Sequence, residues 1–519
     1  MNLKSIGILG LLCALCAFMA VMTSDPWYDI FSGTFLQPNN IENLLRRTSM
    51  YGLLGIGVAF VIITSGIDLS IGSVVCLAGC LLAIFLHVDY RAFDSRDVVQ
   101  VVAMEKTILV REDSASFDVG DRIRLSGSRR ARNALITVAR VETVKLEDDS
   151  GAGASLASLI TVEGDLSRDD DSGQIAKVYS VVEFRQGDAE QAPQIVLQGF
   201  PLDLKARDQV TLVHPKQGQK QIEIADVDTS GERTTLHLQR DLGSDFSTEW
   251  LAIPQERKQR MSVPMALLSV LGISGFLGLV HGLLVTRVRL QPFVVTLCGL
   301  LIYRGASRWL VSDQPVGFAN EFTQSLSQLG SGKWVLFNWN NAGRVETFGI
   351  PYPLLILVAV AIVAAIFLNM TIWGRYLLAL GRNEEAARYS GINTSRITMI
   401  AYVICTMAAA IGGMLFALDS NSVSPSSFGN FFELYAIAAA VLGGCSLRGG
   451  EGTILGVIIG TAVMQILNNL ILLMKISDEL EFAIIGAVIL IGVTADELVR
   501  RMAVKRRAIQ EARQRLSGG

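Results

Sequence analysis

Charged residues and histidine are scarce in this sequence. Of its 519 residues, 18% are charged and 4 are histidine, and the histidines lie far apart. That spacing predicts no metal site. The sequence also lacks the G-x-x-x-x-G-K-[ST] pattern, so the chain cannot bind ATP through a phosphate loop of that kind. We expect the chain to have no catalytic, cofactor-binding or metal-binding residues of its own.

Cysteine is missing from the charged middle of the chain. All 7 cysteines lie in apolar stretches outside residues 89–258. Cys13 and Cys16 form a C-x-x-C pair, but an apolar run supplies neither the βαβ context nor the second ligand pair that a redox or zinc site requires. We expect the cysteines to be small buried hydrophobic residues.

The composition divides the chain into two physical classes. Half of all residues are hydrophobic, which a soluble domain rarely reaches. Residues 89–258 hold 30 acidic and 22 basic residues, a net of −8, and the rest holds 18 and 23, a net of +5. The cations of the rest lie in short loops, which suits contact with anionic lipid headgroups and not with nucleic acid. The sequence therefore predicts a membrane protein with a water-soluble insertion.

Apolar runs predict about ten transmembrane helices, because a bilayer core about 30 Å thick needs about 20 helical residues. The first run is interpreted as an anchor because Met22 occupies a position where a signal-peptide cleavage site needs a small residue. The eighth run is short and bounded by glycine, so it is not expected to cross as a straight helix. The predicted spans are 5–23, 43–65, 69–88, 262–286, 292–311, 351–369, 396–418, 433–445, 453–474 and 480–498.

The expected fold is an all-α polytopic membrane bundle with an inserted all-β soluble domain. Arg375, Arg382 and Arg388 place the loop 370–395 in the cytoplasm by the positive-inside rule. By parity the insertion is extracytoplasmic, which means periplasmic in an inner-membrane protein; Arg46 and Arg47 oppose the scheme and are interpreted as interfacial. The predicted domains are 1–88 with three spans, the insertion 89–258, 259–500 with seven spans, and a basic cytoplasmic tail 501–519.

The insertion contains short β-branched runs separated by turn residues, and a weak internal repeat. Two barrel-like or sandwich-like modules are the natural interpretation. No nucleophile with a base is visible in it, which favours a binding or packing role over an enzyme. The repeat aligns 117–125 with 204–212, 136–141 with 222–227, and 160–166 with 236–242.

Polar residues interrupt the apolar runs at two places. Asp68 and Ser70 lie between glycines at the start of the third span, where a carboxylate costs about 2.5–3.5 kcal/mol unless it is paired, capped or hydrated. A helix cap and a place in a transport pathway are equally good interpretations, and they are compatible. For Asn468 and Asn469 in the ninth span, interhelical hydrogen bonds are favoured over substrate contact.

Residues 381–391 form a short element between two spans, on the side of the membrane that is rich in basic residues. The sequence predicts a helix capped near Asn383 and terminated at Gly391. A solvated connector explains its charges. Its Ala386-Ala387 face and glycine ends equally suit insertion into a groove on a partner. The residues alone leave these two interpretations even.

Several motifs together resemble the ribose-type permease family of bacterial ATP-binding-cassette (ABC) importers. The resemblance covers about residues 30–90 and 260–500, and the motifs are specific jointly but weak singly. The matching stretches are VIITSGIDLSIGS at 61–73, QPFVVTL at 291–297 with Arg304-Gly305, LALGRNEEAA at 378–387, SGIN at 390–393, AIAAAVLGG at 436–444 and LRGG at 447–450.

The resemblance implies several partners: a cytoplasmic ABC ATPase, a periplasmic sugar-binding protein and a second permease copy or paralogue. It also implies that residues 381–391, named here the coupling segment, dock on the ATPase. The large insertion is a departure from the family, which usually has a few residues there. The positions carried over are Gly381, Arg382, Asn383, Glu384, Ala387 and Gly391.

The expected function is therefore that of a non-enzymatic permease subunit that moves a monosaccharide or related small polar solute across the bacterial inner membrane. One alternative is an envelope-sensing receptor or scaffold that uses the insertion. Another is an ion-coupled secondary transporter, which needs no ATPase.

Overall fold

A computed structural model describes most of the chain, in two compact units. One unit comprises Met1–His87 with Met261–Gly519, and the other is Val88–Arg260. We call them the membrane unit and the insert. The described residues are 3–24, 33–93, 95–111, 117–126, 135–147, 154–164, 173–187, 192–198, 204–214, 218–230, 233–239, 250–318, 325–341 and 344–477, with a few single positions such as 166 and 322.

The membrane unit is built from helices. Proline stands at the start of α2, α4, α5 and α7, where its missing N–H costs no hydrogen bond. The helices are α1 (Leu3–Met22), α2 (Pro38–Ile63), α3 (Ile71–Phe85), α4 (Val263–Thr286), α5 (Pro292–Leu310), α6 (Gln328–Ser331), α7 (Tyr352–Met370), α8 (Ile372–Arg382), α9 (Glu384–Tyr389), α10 (Thr394–Ser420), α11 (Phe432–Leu442) and α12 (Ile454–Leu473), with a 3₁₀ turn at Thr34–Leu36.

Within the described residues, 6 helices are long and apolar enough to cross a membrane: α2, α4, α5, α7, α10 and α12. Three shorter apolar helices are Gly7–Met22 within α1, α3 and α11. The predicted span 480–498 and the basic tail 501–519 fall outside the described residues, apart from a few single positions. The predicted number of about ten spans is therefore not confirmed.

Helix α10 is the packing centre of the membrane unit, against α2, α3 and α4. Glycines permit these close approaches. A Cβ added at Gly278 of α4 would lie 2.6 Å from the carbonyl oxygen of Tyr402, and one at Gly57 of α2 would lie 2.9 Å from that of Cys405. Backbones this close exclude any larger residue.

Burial of cysteine was predicted for the whole set and is wrong for part of it. Cys76, Cys80, Cys405 and Cys445 are buried, as expected. Cys13 and Cys298 are exposed on apolar helices, and Cys16 is intermediate. An apolar run does not distinguish a face packed on other helices from one that faces lipid.

The insert is a 12-stranded antiparallel structure in the described residues. Its strands include some, such as Thr107–Arg111 and Arg233–Leu238, in which buried residues alternate with more exposed ones, as in strands with one core-facing side. They are β1 (Val88–Ala92), β2 (Arg96–Val102), β3 (Thr107–Arg111), β4 (Arg122–Ser126), β5 (Leu135–Glu147), β6 (Ala154–Glu163), β7 (Gln174–Arg185), β8 (Gln194–Gln198), β9 (Gln209–His214), β10 (Gly218–Ser230), β11 (Arg233–Leu238) and β12 (Leu251–Gln259).

Strand pairing closes the insert into two rings that share β7. The first ring runs β7-β2-β3-β6-β5-β4 and returns to β7. The second runs β12-β7-β8-β11-β10-β9 and returns to β12. Each ring has its own apolar core, one around Ile123 and Ile160 and the other around Leu212 and Leu236. Strands β2–β7 thus have the same topology as β7–β12.

The two rings also share details of local geometry. The Asp121 carboxylate accepts from the backbone N–H of Asp118 at 2.8 Å, and the Asp208 carboxylate accepts from that of Lys205 at 2.7 Å. The strand pairs β5–β6 and β10–β11 are each bulged one residue after the aligned positions Val138 and Ile224. Where the structure describes them, the aligned segments of the sequence repeat therefore occupy equivalent positions in the two rings.

The remaining strands belong to the membrane unit. β13 (Val316–Gly317) pairs with β16 (Ser422–Val423). β14 (Lys333–Asn341) and β15 (Arg344–Pro351) form an antiparallel hairpin that leads directly into α7. The start of α7 is therefore fixed by the hairpin.

Candidate functional site

The site begins where α2 ends, at residues 64–70, named here the α2–α3 break. Ser65 adopts a left-handed conformation with φ 64°. Its N–H donates to the carbonyl of Ile62 at 2.9 Å, and the N–H of Gly66 donates to that of Val61 at 3.0 Å. This pair of bonds is the Schellman motif, which terminates a helix and satisfies its last carbonyls.

Asp68 lies within the break and is fully buried. Its Oδ1 accepts from the backbone N–H of Ser70 at 2.8 Å and from the Ser70 hydroxyl at 2.6 Å. Ser70 occupies the N-cap position of α3 and makes no side-chain cap bond. Asp68 therefore hydrogen-bonds to Ser70, the residue that precedes α3. Neither side chain shows a hydrogen bond to a backbone N–H group in the first turn of α3, as a capping side chain would.

Polar side chains from three further positions lie near enough to this carboxylate to interact with it electrostatically. His281 of α4 stacks on Tyr303 of α5, and the hydroxyl of Tyr303 lies 2.8 Å from Nε2 of His281. Tyr402 of α10 meets the His281 ring edge-on, with centroids 6.1 Å apart. A Cβ added at Gly66 would lie 3.0 Å from the Tyr402 hydroxyl, so that hydroxyl is next to the break.

The buried polar cluster consists of Asp68, Ser70, His281, Tyr303 and Tyr402. Three of its atoms have no hydrogen-bond partner among the described residues. They are Oδ2 of Asp68, Nδ1 of His281 and the hydroxyl oxygen of Tyr402. Each of these residues is at most 1% exposed. Buried polar groups are normally satisfied, so unsatisfied ones mark a place where water, a ligand or a rearrangement completes the bonding.

A second interruption faces the first. Residues 421–431, named here the descending segment, have no regular secondary structure apart from the short strand β16. They precede α11, which has 11 residues. At about 1.5 Å per residue, α11 spans about 16 Å of a core about 30 Å thick. Arg304 of α5 donates to the carbonyls of Pro425 at 3.1 Å and Phe428 at 2.6 Å. The arginine thus satisfies unwound backbone inside the bundle.

The two interruptions are in direct contact. A Cβ added at Gly72, in the first turn of α3, would overlap the carbonyl oxygen of Gly429 and the carboxylate of Glu433. Glu433 is 9% exposed. Broken helices are tolerated in a membrane where they are buried in protein or line a cavity, and in transporters they commonly surround the pathway.

Only part of this site is predictable from the sequence. Asp68 and Ser70 stand out there, whereas Arg304 appears only within a family motif. An available signal was an ionisable side chain inside an apolar run, which by itself suggests a functional site in a membrane protein. That signal finds His281, Arg304 and Glu433, but not the two tyrosines.

The amides of α12 differ in their surroundings. Asn469 exchanges two hydrogen bonds with Asn40 of α2, at 2.8 and 3.2 Å. This is the interhelical bonding that the sequence favours. Oδ1 of Asn468 is buried and has no partner among the described residues. Neither amide contacts the buried polar cluster through a hydrogen bond that the structure shows.

The coupling segment has the local structure that its residues predict. The Asn383 side chain accepts from the backbone N–H of Ala386 at 2.9 Å and caps α9. Gly391 has φ 82°, which suits the residue after a helix end. Glu384 and Glu385 are exposed at the positive end of α9, and Ala387 is buried.

One end of the coupling segment is packed against the end of α2. A Cβ added at Gly381 would overlap the carbonyl oxygen of Ile63 and the backbone nitrogen of Gly450. The N–H of Gly450 donates to the Ile63 carbonyl at 2.9 Å. The coupling segment, the loop after α11 and the α2–α3 break therefore meet at one junction.

No described group of three or more His, Cys, Asp or Glu residues is arranged to hold a metal ion. The chemistry that the site offers is hydrogen bonding and charge inside a helical bundle.

Comparison with known families extends this picture. Residues 242–493 match the family model described as branched-chain amino acid transport system / permease component. No solved structure matches the chain.

Curated relatives are sugar permeases by name. The ribose import permease protein of Escherichia coli K12 is 36% identical over 232 residues, 45% of this chain and 68% of the relative. The galactose/methyl galactoside import permease protein of Haemophilus influenzae is 31% identical over 242 residues, 46% of this chain and 68% of the relative. The fructose import permease protein of Rhizobium meliloti is 31% identical over 233 residues, 45% of this chain and 62% of the relative.

The family model covers helices α4–α12, which include the descending segment and the coupling segment, and the α2–α3 break lies before the matched range. Six membrane-length helices agree with a multi-pass inner-membrane protein. The chain belongs to the family of permease subunits of ABC importers for monosaccharides.

Proposed function

We propose that this chain translocates a monosaccharide, driven by an ATPase subunit that docks on the coupling segment. One observation carries the proposal: Gly381 packs backbone to backbone on the end of α2, where the α2–α3 break begins. A displacement of the coupling segment therefore acts on the part of the bundle that holds Asp68. ATP is bound by the partner, and the chain converts the partner's motion into access to one side of the membrane.

The partners follow from the same proposal. A cytoplasmic ABC ATPase contacts the exposed Glu384 and the residues around it. A periplasmic sugar-binding protein delivers the solute to the opposite face. A second copy or paralogue of this chain completes the passage between two bundles. Family membership of this chain supports all three partners.

The pathway is proposed to run past the buried polar cluster. A sugar presents several hydroxyl groups, each a donor and an acceptor. Asp68 and His281 offer unsatisfied acceptor or donor atoms, and Tyr402 offers a hydroxyl. When the two helix interruptions separate, these atoms can replace the water of a sugar hydroxyl. Which monosaccharide is carried is set mainly by the binding protein.

The insert is proposed to lie in the periplasm. The orientation that puts Arg375, Arg382 and Arg388 in the cytoplasm also puts Ile63, Gly381 and Gly450 on one side. Their contact in the structure agrees with a shared side, and the arginines identify that side as the cytoplasm. Parity then sends the chain to the opposite side at His87.

The test is transport by the complex purified from its own membranes. We expect an ATPase to co-purify and the complex in lipid vesicles to take up radiolabelled D-ribose, D-galactose or D-fructose when ATP and the binding protein are present. Glu384→Arg should lower co-purified ATPase activity and uptake by at least about tenfold, since a reversed charge at an interface costs several kcal/mol. The matched control is Glu105→Arg, at an exposed turn of the insert.

Two results would contradict the proposal. One is purified protein that never carries a nucleotide-hydrolysing subunit. The other is Glu384→Arg protein that takes up sugar as well as the Glu105→Arg protein. Uptake driven by an ion gradient without ATP would support a secondary transporter instead.

A further inference from the structure

Ser65 stands where glycine is the usual residue. It is the left-handed residue of the Schellman motif that ends α2, with φ 64°. Helices most often place glycine at this position, because a Cβ disfavours the left-handed conformation. The backbone conformation at this position is therefore less favourable for serine than for glycine, so a contact of the serine side chain is expected to compensate.

The Ser65 hydroxyl reaches both other parts of the junction. It donates to the carbonyl oxygen of Arg448 at 2.9 Å, and the carbonyl oxygen of Gly381 lies 3.4 Å away. A hydroxyl has one hydrogen, so the two carbonyls compete for it. The first carbonyl belongs to the loop after α11 and the second to the start of the coupling segment. The side chain thus joins three elements that are distant in sequence.

The residue after Ser65 faces the buried polar cluster. Gly66 lies against the hydroxyl of Tyr402, as the 3.0 Å approach of an added Cβ indicates. Asp68 follows two residues later. A shift of Ser65 therefore moves the backbone that positions the Asp68 carboxylate. Helix α2 ends at Ile63 and gives way to this non-helical backbone.

We infer that Ser65 is a positioning residue that transmits displacement of the coupling segment to the α2–α3 break. The inference rests on the proposed function, because it assigns the route by which ATPase motion reaches the pathway. It predicts that the hydroxyl matters for coupling and not for folding. A purely structural helix terminator would function as well, or better, with glycine.

Three variants separate these roles. Ser65→Gly removes the hydroxyl and relieves the left-handed backbone. Ser65→Ala removes the hydroxyl and keeps the unfavourable backbone. Ser65→Asn keeps a side-chain donor in a residue that tolerates this conformation. The measured quantity is sugar taken up per ATP hydrolysed, in vesicles that contain the complete complex with its ATPase and binding protein.

A matched control exists at the end of α12. Lys475 has φ 53° and makes the same motif, with its N–H on Leu472 at 3.2 Å and the N–H of Ile476 on Ile471 at 3.0 Å. Its side chain is exposed. Lys475→Gly therefore relieves the same backbone conformation away from the junction.

We expect Ser65→Gly and Ser65→Ala to lower the sugar-to-ATP ratio about threefold to tenfold, the change that loss of one hydrogen bond gives. The amount of co-purified ATPase should stay unchanged, and Ser65→Asn should restore most of the ratio. Lys475→Gly should leave the ratio unchanged. The inference is overturned if Ser65→Gly couples like Lys475→Gly, or if the ratio falls only in step with the amount of assembled complex. Absence of ATP-driven uptake in the unaltered complex would instead refute the proposed function.

Discussion

The Glu42 carboxylate accepts hydrogen bonds from the Lys333 ammonium group at 2.9 and 2.8 Å. Its Oε1 also accepts from the backbone N–H of Gly349 at 2.7 Å. Glu42 is 4% exposed, whereas the Lys333 side chain is 23% exposed. One acid near the start of α2 thus holds both strands of the hairpin that leads into α7.

Glu42→Gln should destabilise the membrane unit by about 1–3 kcal/mol, because an amide replaces a carboxylate that satisfies a buried N–H and a partly buried cation. The expected result is a lower midpoint for loss of monodisperse protein on heating in detergent. Asp89→Asn, at an exposed ion pair with Arg260, is the control and should shift the midpoint little. Equal shifts for the two variants would mean that burial of Glu42 contributes nothing.

Orientation in the membrane can be tested with single cysteines. Met104 is 96% exposed in the insert and Tyr389 is 84% exposed in the coupling segment. We expect Met104→Cys to react with a membrane-impermeant maleimide once the outer membrane is permeabilised. Tyr389→Cys should react only after the inner membrane is opened. The unaltered chain, whose Cys13 and Cys298 are exposed on apolar helices, gives the background. The reverse pattern would place the insert in the cytoplasm.

Helix positions were predictable because apolar length is a local property. The predicted span 292–311 begins with α5 and ends one residue after it, and the predicted span 351–369 is offset from α7 by one residue. The cap at Asn383 was equally local. The structure before the eighth span, predicted at 433–445, was not predictable, because it depends on a contact distant in sequence. Arg304, which is 121 residues from Pro425, satisfies two carbonyls of the descending segment.

The candidate site was only partly predictable for the same reason. Asp68 stood out as a charge between apolar runs. The grouping of His281, Tyr303 and Tyr402 around it depends on helix packing, which a single sequence does not specify. Ser65 appeared only as one residue of a family motif, because its role depends on a left-handed backbone and on a carbonyl 383 residues away.

The two glycines of the coupling segment should respond differently to alanine. A Cβ at Gly381 meets backbone atoms of Ile63 and Gly450, which cannot move aside as a flexible side chain can. A Cβ at Gly391 meets nothing within 4 Å, so its cost is the left-handed conformation, about 1 kcal/mol. We expect Gly381→Ala to abolish ATP-driven uptake and Gly391→Ala to lower it modestly. Uptake in vesicles, normalised to protein recovered, is the measurement; equal losses would contradict close packing at Gly381.

The insert should fold without the membrane unit, because its chain ends and both its cores lie within it. Strand β1 pairs with β12 from Val88↔Gln259 to Ala92↔Gln255, so the chain enters and leaves at neighbouring positions. Antiparallel partners are about 5 Å apart, which a short Gly-Ser linker spans. We therefore expect residues 88–260 to be soluble with a β-type circular dichroism spectrum and cooperative unfolding. The linker-closed membrane unit should still co-purify with its ATPase. An aggregated fragment, together with a membrane unit that no longer assembles, would mean that each part needs the other to fold.

If both fold, uptake by the shortened complex decides the role of the insert: normal uptake marks it as accessory, and lost uptake with assembly intact marks it as part of the transport cycle.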